Sequence, residues 1–442
     1  MRQAQRILNQ TLLIAISLLA LACHEDEIDT TERREESTLQ SDIDAYFKAL
    51  TDLYQFNGVV LAYAGDSLVI HQAYNLHPEP DSSSFVTVQH QFDIHSVSKL
   101  MTHYLIVKLE AEERISQNQT ISAFYPDFPR GDEITLKMLL EHTSGLPREL
   151  TFLKRPEIEL TSADIVDRAK REVLLFDPGT EVQYSNVGYE ILYAIVANVY
   201  EKPFAQCLQD EIFTPLGMQQ SGAHFFTEVD RKSNLALNHM LVDSVLKVVP
   251  NVLDDEFKTA RLYSTAADLN TFLLAIEQQP YADSLKDENG VIAKDGGSKG
   301  IRAQVHTDLV NDFRFVILAN YDEMPFFKTV EDVAAMLKGK EVELPKALNR
   351  KEISVPKEVL ARYIGAYEFA DFDGLVLRVD TLGKNLILFQ GEAQIATLKA
   401  ESETVFFENP KAAESFEFIQ NESGTYNALM GWKGIKVEGK RK

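Results

Sequence analysis

The sequence predicts an α/β protein of the α+β kind: an antiparallel sheet flanked by helices, with a helical subdomain inserted into it, followed by a small all-β domain at the carboxy terminus. Three observations lead there. Strand-like runs lie at both ends of one long segment, from Phe56 to Tyr74 and again from Val291 to Asn320, and the chain between them is apolar at helical spacing. After residue 356 the pattern changes to short strand-like runs with turn residues between them. At 442 residues the chain is also longer than one ordinary domain, which leaves room for a large core and an appended module.

Residues 1–22 read as a signal peptide. Arg2 and Arg6 precede an apolar run from Leu12 to Ala22, too short to span a bilayer, which takes roughly 18 or more apolar residues. Small residues lead directly into Cys23, and Ala20-Leu-Ala-Cys23 resembles a bacterial lipobox. That resemblance implies cleavage before Cys23, lipidation of its thiol, and a lipid-anchored protein of the bacterial cell envelope, on the periplasmic or the surface side of the outer membrane. A plain cleaved signal with an incidental cysteine is the alternative. Residues 23–38, dense in Glu, Asp and Thr, read as an acidic tether with too little apolar surface to fold. The other cysteine, Cys207, lies among Phe204 and Leu208, as a buried inert thiol would.

Residues 39–338 form the main unit. Leu39, Ile43, Tyr46, Phe47 and Leu50 make an amphipathic helix, and the runs Phe56 to Ala64 and Asp66 to Tyr74 make a hairpin about Gly65. Helices are expected from Ser96, over Ile134 to Glu141, 161–172 and 186–201, from Phe204, over Ser264 to Ile276 and over Val330 to Lys338. Strands return at Val291 to Ala293, Ile301 to His306 and Phe313 to Asn320. Residues 339–356, with Pro345, Pro356 and several charges, make a linker. Within 357–442, runs at Leu375, Leu386, Gln394, Thr404 and Phe416 suit a small barrel or sandwich.

Composition narrows the partners. A formal charge of −23 argues against nucleic acid and against an anionic lipid surface, so any membrane contact is through the anchor alone. No cofactor or metal is expected, because the ten histidines show no zinc-type spacing with Cys or acidic residues.

The chemistry centres on Ser96-Val-Ser-Lys99. Residues three apart on a helix share a face, so Ser96, placed as a polar cap at a helix start, would stand beside the Lys99 ammonium. Ser-x-x-Lys also occurs at Ser244 to Lys247 and Ser354 to Lys357, but the first lies in a β-branched run and the second in the linker. Tyr184-Ser-Asn186 is the only Tyr-x-Asn, and Lys294-Asp-Gly296 the only Lys-x-Gly. In this order the three triplets resemble the active-site motifs of the serine β-lactamase and penicillin-binding protein superfamily, closest to its class C β-lactamase, D,D-peptidase and esterase branch. The resemblance covers roughly residues 40–338 and includes Leu139-Leu-Glu-His-Thr-Ser-Gly-Leu-Pro147, Phe176-Asp-Pro-Gly179, Pro215-Leu-Gly-Met218 and Leu262-Tyr-Ser-Thr-Ala-Ala-Asp268.

The resemblance implies a β-lactamase/transpeptidase-like fold and assigns roles. Ser96 is the acylated nucleophile, and Lys99 helps to remove its proton and, with Lys294, stabilises a phenolate at Tyr184, the general base. Asn186 bonds the substrate amide or Lys99, and the oxyanion hole is the backbone N–H groups of Ser96 and Gly297. His142 is structural. The chain departs from the family pattern at Ser298-Lys-Gly-Ile-Arg302 after the third motif and at Thr259-Ala-Arg261. The expectation is an envelope-anchored serine hydrolase acting through a Ser96 acyl-enzyme on an ester, a β-lactam or a D-amino-acid peptide, with a small-molecule or peptidoglycan-like substrate. The alternative is a catalytically weak member of the fold that binds a peptidoglycan fragment or a protein partner. The carboxy-terminal domain resembles the small β-barrel appended to many members.

Overall fold

A computed structural model of the chain describes residues 30–150, 162–224, 234–242, 245–249, 261–372, 374–410 and 412–442. The signal segment, Cys23 and Ser244 lie outside the described residues.

Alternating apolar residues build a sheet with two buried faces. Strands β1 (Gly58–Ala64) and β2 (Ser67–Tyr74) form the expected hairpin. Five short strands follow in the inserted region: β3 (Phe92–Asp93), β4 (Gly222–His224), β5 (His239–Val242), β6 (Val245–Val248) and β7 (Arg261–Ser264). The chain then returns as β8 (Val291–Ser298), β9 (Ile301–Asp308) and β10 (Phe313–Ala319). Among the described residues the main sheet runs β2-β1-β10-β9-β8, antiparallel throughout. Distant parts of the chain thus complete one sheet, as the sequence predicts.

Side chains one apart in a strand face opposite ways, and the two cores follow that rule. Val60, Ala62, Phe315 and Ile317 pack under the helices Thr30–Asp52 and Phe326–Leu337, through Ile43, Phe47, Leu50, Val333 and Met336. The Tyr46 hydroxyl donates to Asp332 Oδ2 at 2.7 Å and ties these two helices together. On the other face Leu61, Val305, Val316 and Leu318 pack with the inserted helices Ser98–Ala111, Asn186–Tyr200 and Ala266–Glu277. Strand β10 is buried at every position, as a central strand covered on both sides must be.

Two expectations need correction. The first helix starts at Thr30, so residues 30–38 are helical and not a structureless tether. Glu and Arg are good helix formers, and a docked helix from Leu39 onward is a nucleus onto which they add at low cost. The run Ile134 to Glu141 supplies only the short helix Leu136–Leu140, capped by Thr135 Oγ1, which accepts from Met138 N.

The carboxy-terminal unit is a closed barrel of β11 (Gly365–Phe369), β12 (Leu375–Leu382), β13 (Asn385–Gln390), β14 (Ala393–Ala400), β15 (Val405–Phe407), β16 (Ser415–Gln420), β17 (Tyr426–Trp432) and β18 (Ile435–Arg441). Pairing of Tyr367 with Arg441 closes it, and Tyr363, Phe369, Phe406, Phe416 and Phe418 fill it. Closure removes the free edges that a small sandwich would expose.

Candidate active site

Three separate stretches converge on Ser96. The 3-10 turn His95–Val97 leads into the helix Ser98–Ala111, whose cap is Val97, without a side-chain cap bond. Ser96 is therefore not the helix cap that its position in the sequence suggests. Its hydroxyl is left for other partners: Lys99 Nζ donates to Ser96 Oγ at 3.2 Å, and the Tyr184 hydroxyl donates to it at 3.0 Å. His95, just before it, holds φ 44°, an unusual conformation for a non-glycine residue that bends the chain so that the turn faces the sheet edge.

Lys99 is buried at 3% exposure. An ammonium so far from water needs acceptors, and it also donates to Asn186 Oδ1 at 2.7 Å. Asn186 opens the helix Asn186–Tyr200, where Ser185 Oγ caps Gly188 N at 3.0 Å. Its amide is oriented from behind, because Nδ2 donates to Glu149 Oε1, which leaves Oδ1 turned to Lys99. The peptide is fixed as well, Asn186 N donating to Arg148 O at 2.9 Å.

Cations surround the Tyr184 ring: Lys99 at 5.1 Å, Lys294 at 5.5 Å and Arg148 at 5.0 Å from its centre. Lys294 comes from β8 and also pairs with Asp295 at 3.3 Å. The sequence pointed to two of these cations and missed Arg148 and Glu149, which directly follow the quoted Gly145-Leu-Pro147 turn. The signal was their place at the end of a motif.

His142 lies face to face with Tyr184, ring centres 4.3 Å apart and tilted by 30°. Its Nδ1 accepts from Ser185 N at 3.1 Å, so the ring is neutral with its proton on Nε2. Burial, aided by Lys99, Lys294 and Arg148, pushes its pKa down to about 3. A ring that resists protonation and presents its face to the tyrosine acts as a support.

Strand β8 passes close to Ser96. A Cβ at Gly296 would stand 2.2 Å from Ile94 O and 3.0 Å from Ser96 N, so only glycine lets the strand approach this turn. At Gly297 the room that a side chain would take is filled by Arg302, whose Nη1 would be 2.7 Å from a Cβ there. That glycine makes room for the arginine.

Of the other Ser-x-x-Lys matches, the lysines are among the described residues. Lys247 lies in β6, and Lys357 begins the short helix Lys357–Leu360 after Pro356. Cys207 is fully buried, and burial pushes its thiol up to about 11, as an inert thiol requires. Among the described residues no helix is long and apolar enough to cross a membrane.

Comparison with known proteins agrees with this geometry. The Beta-lactamase family model matches residues 43–329. A penicillin-binding protein of Bacillus subtilis (strain 168) is 24% identical over 443 residues, covering 89% of this chain and 97% of that protein. The teichoic acid D-alanine hydrolase of Staphylococcus aureus is 26% identical over 226 residues, covering 50% of this chain and 55% of that protein. Among solved structures, the octameric penicillin-binding protein homologue from Pyrococcus abyssi aligns with a TM-score of 0.58 at 18% identity, covering 91% of this chain and 99% of that one. The D-amino acid amidase from Ochrobactrum anthropi SV3 aligns with a TM-score of 0.54 at 20% identity, covering 67% and 97%. A Ser-x-x-Lys turn facing a tyrosine and a lysine-bearing edge strand, on a sheet of this topology and within the matched span, leads to one conclusion: this chain belongs to the beta-lactamase family of serine hydrolases.

Proposed function

We propose that this protein hydrolyses an ester, an amide of a D-amino acid or a β-lactam through an acyl-enzyme on Ser96. The observation that carries the reading is Ser96 Oγ within hydrogen-bond reach of both Lys99 Nζ and the Tyr184 hydroxyl. Tyr184, as phenolate, takes the Ser96 proton while Oγ attacks the carbonyl carbon, and the surrounding cations offset the charge on the ring as the proton moves. The N–H groups of Ser96 and Gly297 receive the oxyanion. Tyr184 then gives its proton to the leaving oxygen or nitrogen, and the C–O or C–N bond breaks. A water enters, Tyr184 takes one of its protons, and the ester bond to Ser96 is cleaved with return of a proton to Oγ. Lys99, held by Asn186, keeps Oγ oriented through both halves.

The substrate range is supported by relatives named as a penicillin-binding protein, a teichoic acid D-alanine hydrolase and a D-amino acid amidase. Anchoring at the envelope through Cys23 belongs to the same proposal and rests on the lipobox-like Ala20-Leu-Ala-Cys23.

The test is covalent labelling. The protein without residues 1–22 is incubated with a fluorophosphonate and, separately, with a penicillin probe, and intact mass and peptide mapping locate the adduct. Label on Ser96, absent from Ser96→Ala, is expected. Folded protein that takes neither probe would support the binding-protein alternative instead. Turnover of a D-alanyl ester, a D-amino-acid amide and a β-lactam then ranks the leaving groups.

A further inference from the structure

Among the described residues strand β8, which carries Lys294 and Gly297, is the edge of its sheet, with β9 as its neighbour on one side. An edge strand is held by one ladder only, so its position against Ser96 depends on what else braces it. Gly296 rests against the Ser96 turn on one face. On the opposite face Arg302, paired with Gly297 across the ladder, folds its guanidinium over that glycine. Nη1 donates to Ser298 O at 2.9 Å and to Ile301 O at 2.7 Å, pinning both ends of the turn that joins β8 to β9.

The barrel reaches this brace. Arg302, only 14% exposed, has Asp322 Oδ2 at 3.8 Å from Nη2. Lys433 Nζ donates to the Asp322 carbonyl oxygen at 2.5 Å. Lys433 and Gly434 form the tight turn between β17 and β18, with φ of 48° and 90°. That turn is docked on the main unit: Phe327 N donates to Lys433 O at 3.1 Å, and Phe327 meets Trp432 at 6.2 Å between ring centres. A Cβ at Gly434 would collide with Lys328 at 2.4 Å.

We propose that Arg302 is a positioning residue for the Gly297 N–H, and that the barrel holds Arg302 in register through Lys433 and Asp322. The inference rests on the Ser96 hydrolase reading. An oxyanion-hole donor acts on charge that appears only in the transition state, so a displaced β8 slows acylation and leaves ground-state binding intact. A misplacement of about 1 Å costs on the order of a hundredfold in rate.

The experiment measures the maximal rate at which a fluorescent fluorophosphonate phosphonylates Ser96, with loss of fluoride, and its half-saturating concentration on the full mature chain, with thermal melts on every variant. Arg302→Gln should lower the maximal rate about ten- to a hundredfold and Lys433→Ala about three- to tenfold, both with half-saturation within about twofold of wild type. Lys433→Arg should restore most of the loss. Lys436→Ala, on the barrel's outer surface at 64% exposure, should change neither constant. Should Arg302→Gln fail to fold, the Lys433 pair carries the test. Folded Lys433→Ala reacting at the wild-type rate, or losing rate only in proportion to unfolded protein, overturns the inference alone. A wild-type chain that takes no label at Ser96 overturns the hydrolase reading as well.

Discussion

In the proposed mechanism the chemistry turns on Tyr184, which stands where that mechanism needs a base and leaves no step to a histidine. Its hydroxyl reaches Ser96 Oγ, and cations stand around its ring. Tyr184→Phe keeps the ring contacts and removes the proton carrier, so the acylation rate should fall about 10²- to 10⁴-fold, with the fold intact by circular dichroism. Little change would reassign the base to Lys99. His142 makes a separate prediction. Its folded pKa, about 3, lies below the ordinary value of about 6.5 in an unfolded chain, so the unfolded state binds the proton first. The associated stability is complete above about pH 6.5 and is lost as pH falls towards 3, at no more than about 1.4 kcal/mol per pH unit. Chemical denaturation at pH 7 and pH 4.5 should show that loss, and His142→Gln should reduce it.

The decisive element is the edge strand β8. Three residues were legible there from the Lys-x-Gly pattern, but the sequence showed strand character only from Val291 to Ala293, because Lys294-Asp-Gly-Gly297 has low β propensity. The strand nonetheless runs to Ser298, since β9 supplies a full ladder of partners. Its close pass over the Ser96 turn depends on Gly296. Gly296→Ala would place a methyl on Ile94 O and push strand and turn apart, which should cost about 1–3 kcal/mol in stability and about a hundredfold in labelling of Ser96. Wild-type labelling in that variant would mean that the strand has slack. The barrel strands Gly365–Phe369, Tyr426–Trp432 and Ile435–Arg441 were likewise invisible, the first being short and the other two interrupted by Gly or Lys, and they become strands because closure gives each a partner on both sides.

For the molecule as a whole, the two faces of the sheet divide the labour. The face under Thr30–Asp52 and Phe326–Leu337 is a core of apolar side chains, while the face under the inserted helices also builds the site. The same first helix continues back to Thr30, so little chain separates the folded unit from Cys23. If Cys23 carries a lipid, Cys23→Ala in the full chain should move the protein from the membrane fraction to the soluble one on fractionation of a producing bacterium. Retention in the membrane fraction would rule the anchor out.

The sequence by itself determined the fold class and singled out Ser96 as the candidate nucleophile, with Lys99, Tyr184, Asn186 and Lys294 as its companions. Those residues sit in short patterns whose spacing is set by local helix and strand geometry, and local geometry is readable along the chain. Only the tertiary structure decided that Ser96 is free of capping, that Arg148 and Glu149 complete the surroundings of Tyr184 and Asn186, and that Arg302 links β8 to the barrel. These contacts join residues far apart in sequence, and no local periodicity encodes which distant side chain will fill the space a glycine leaves.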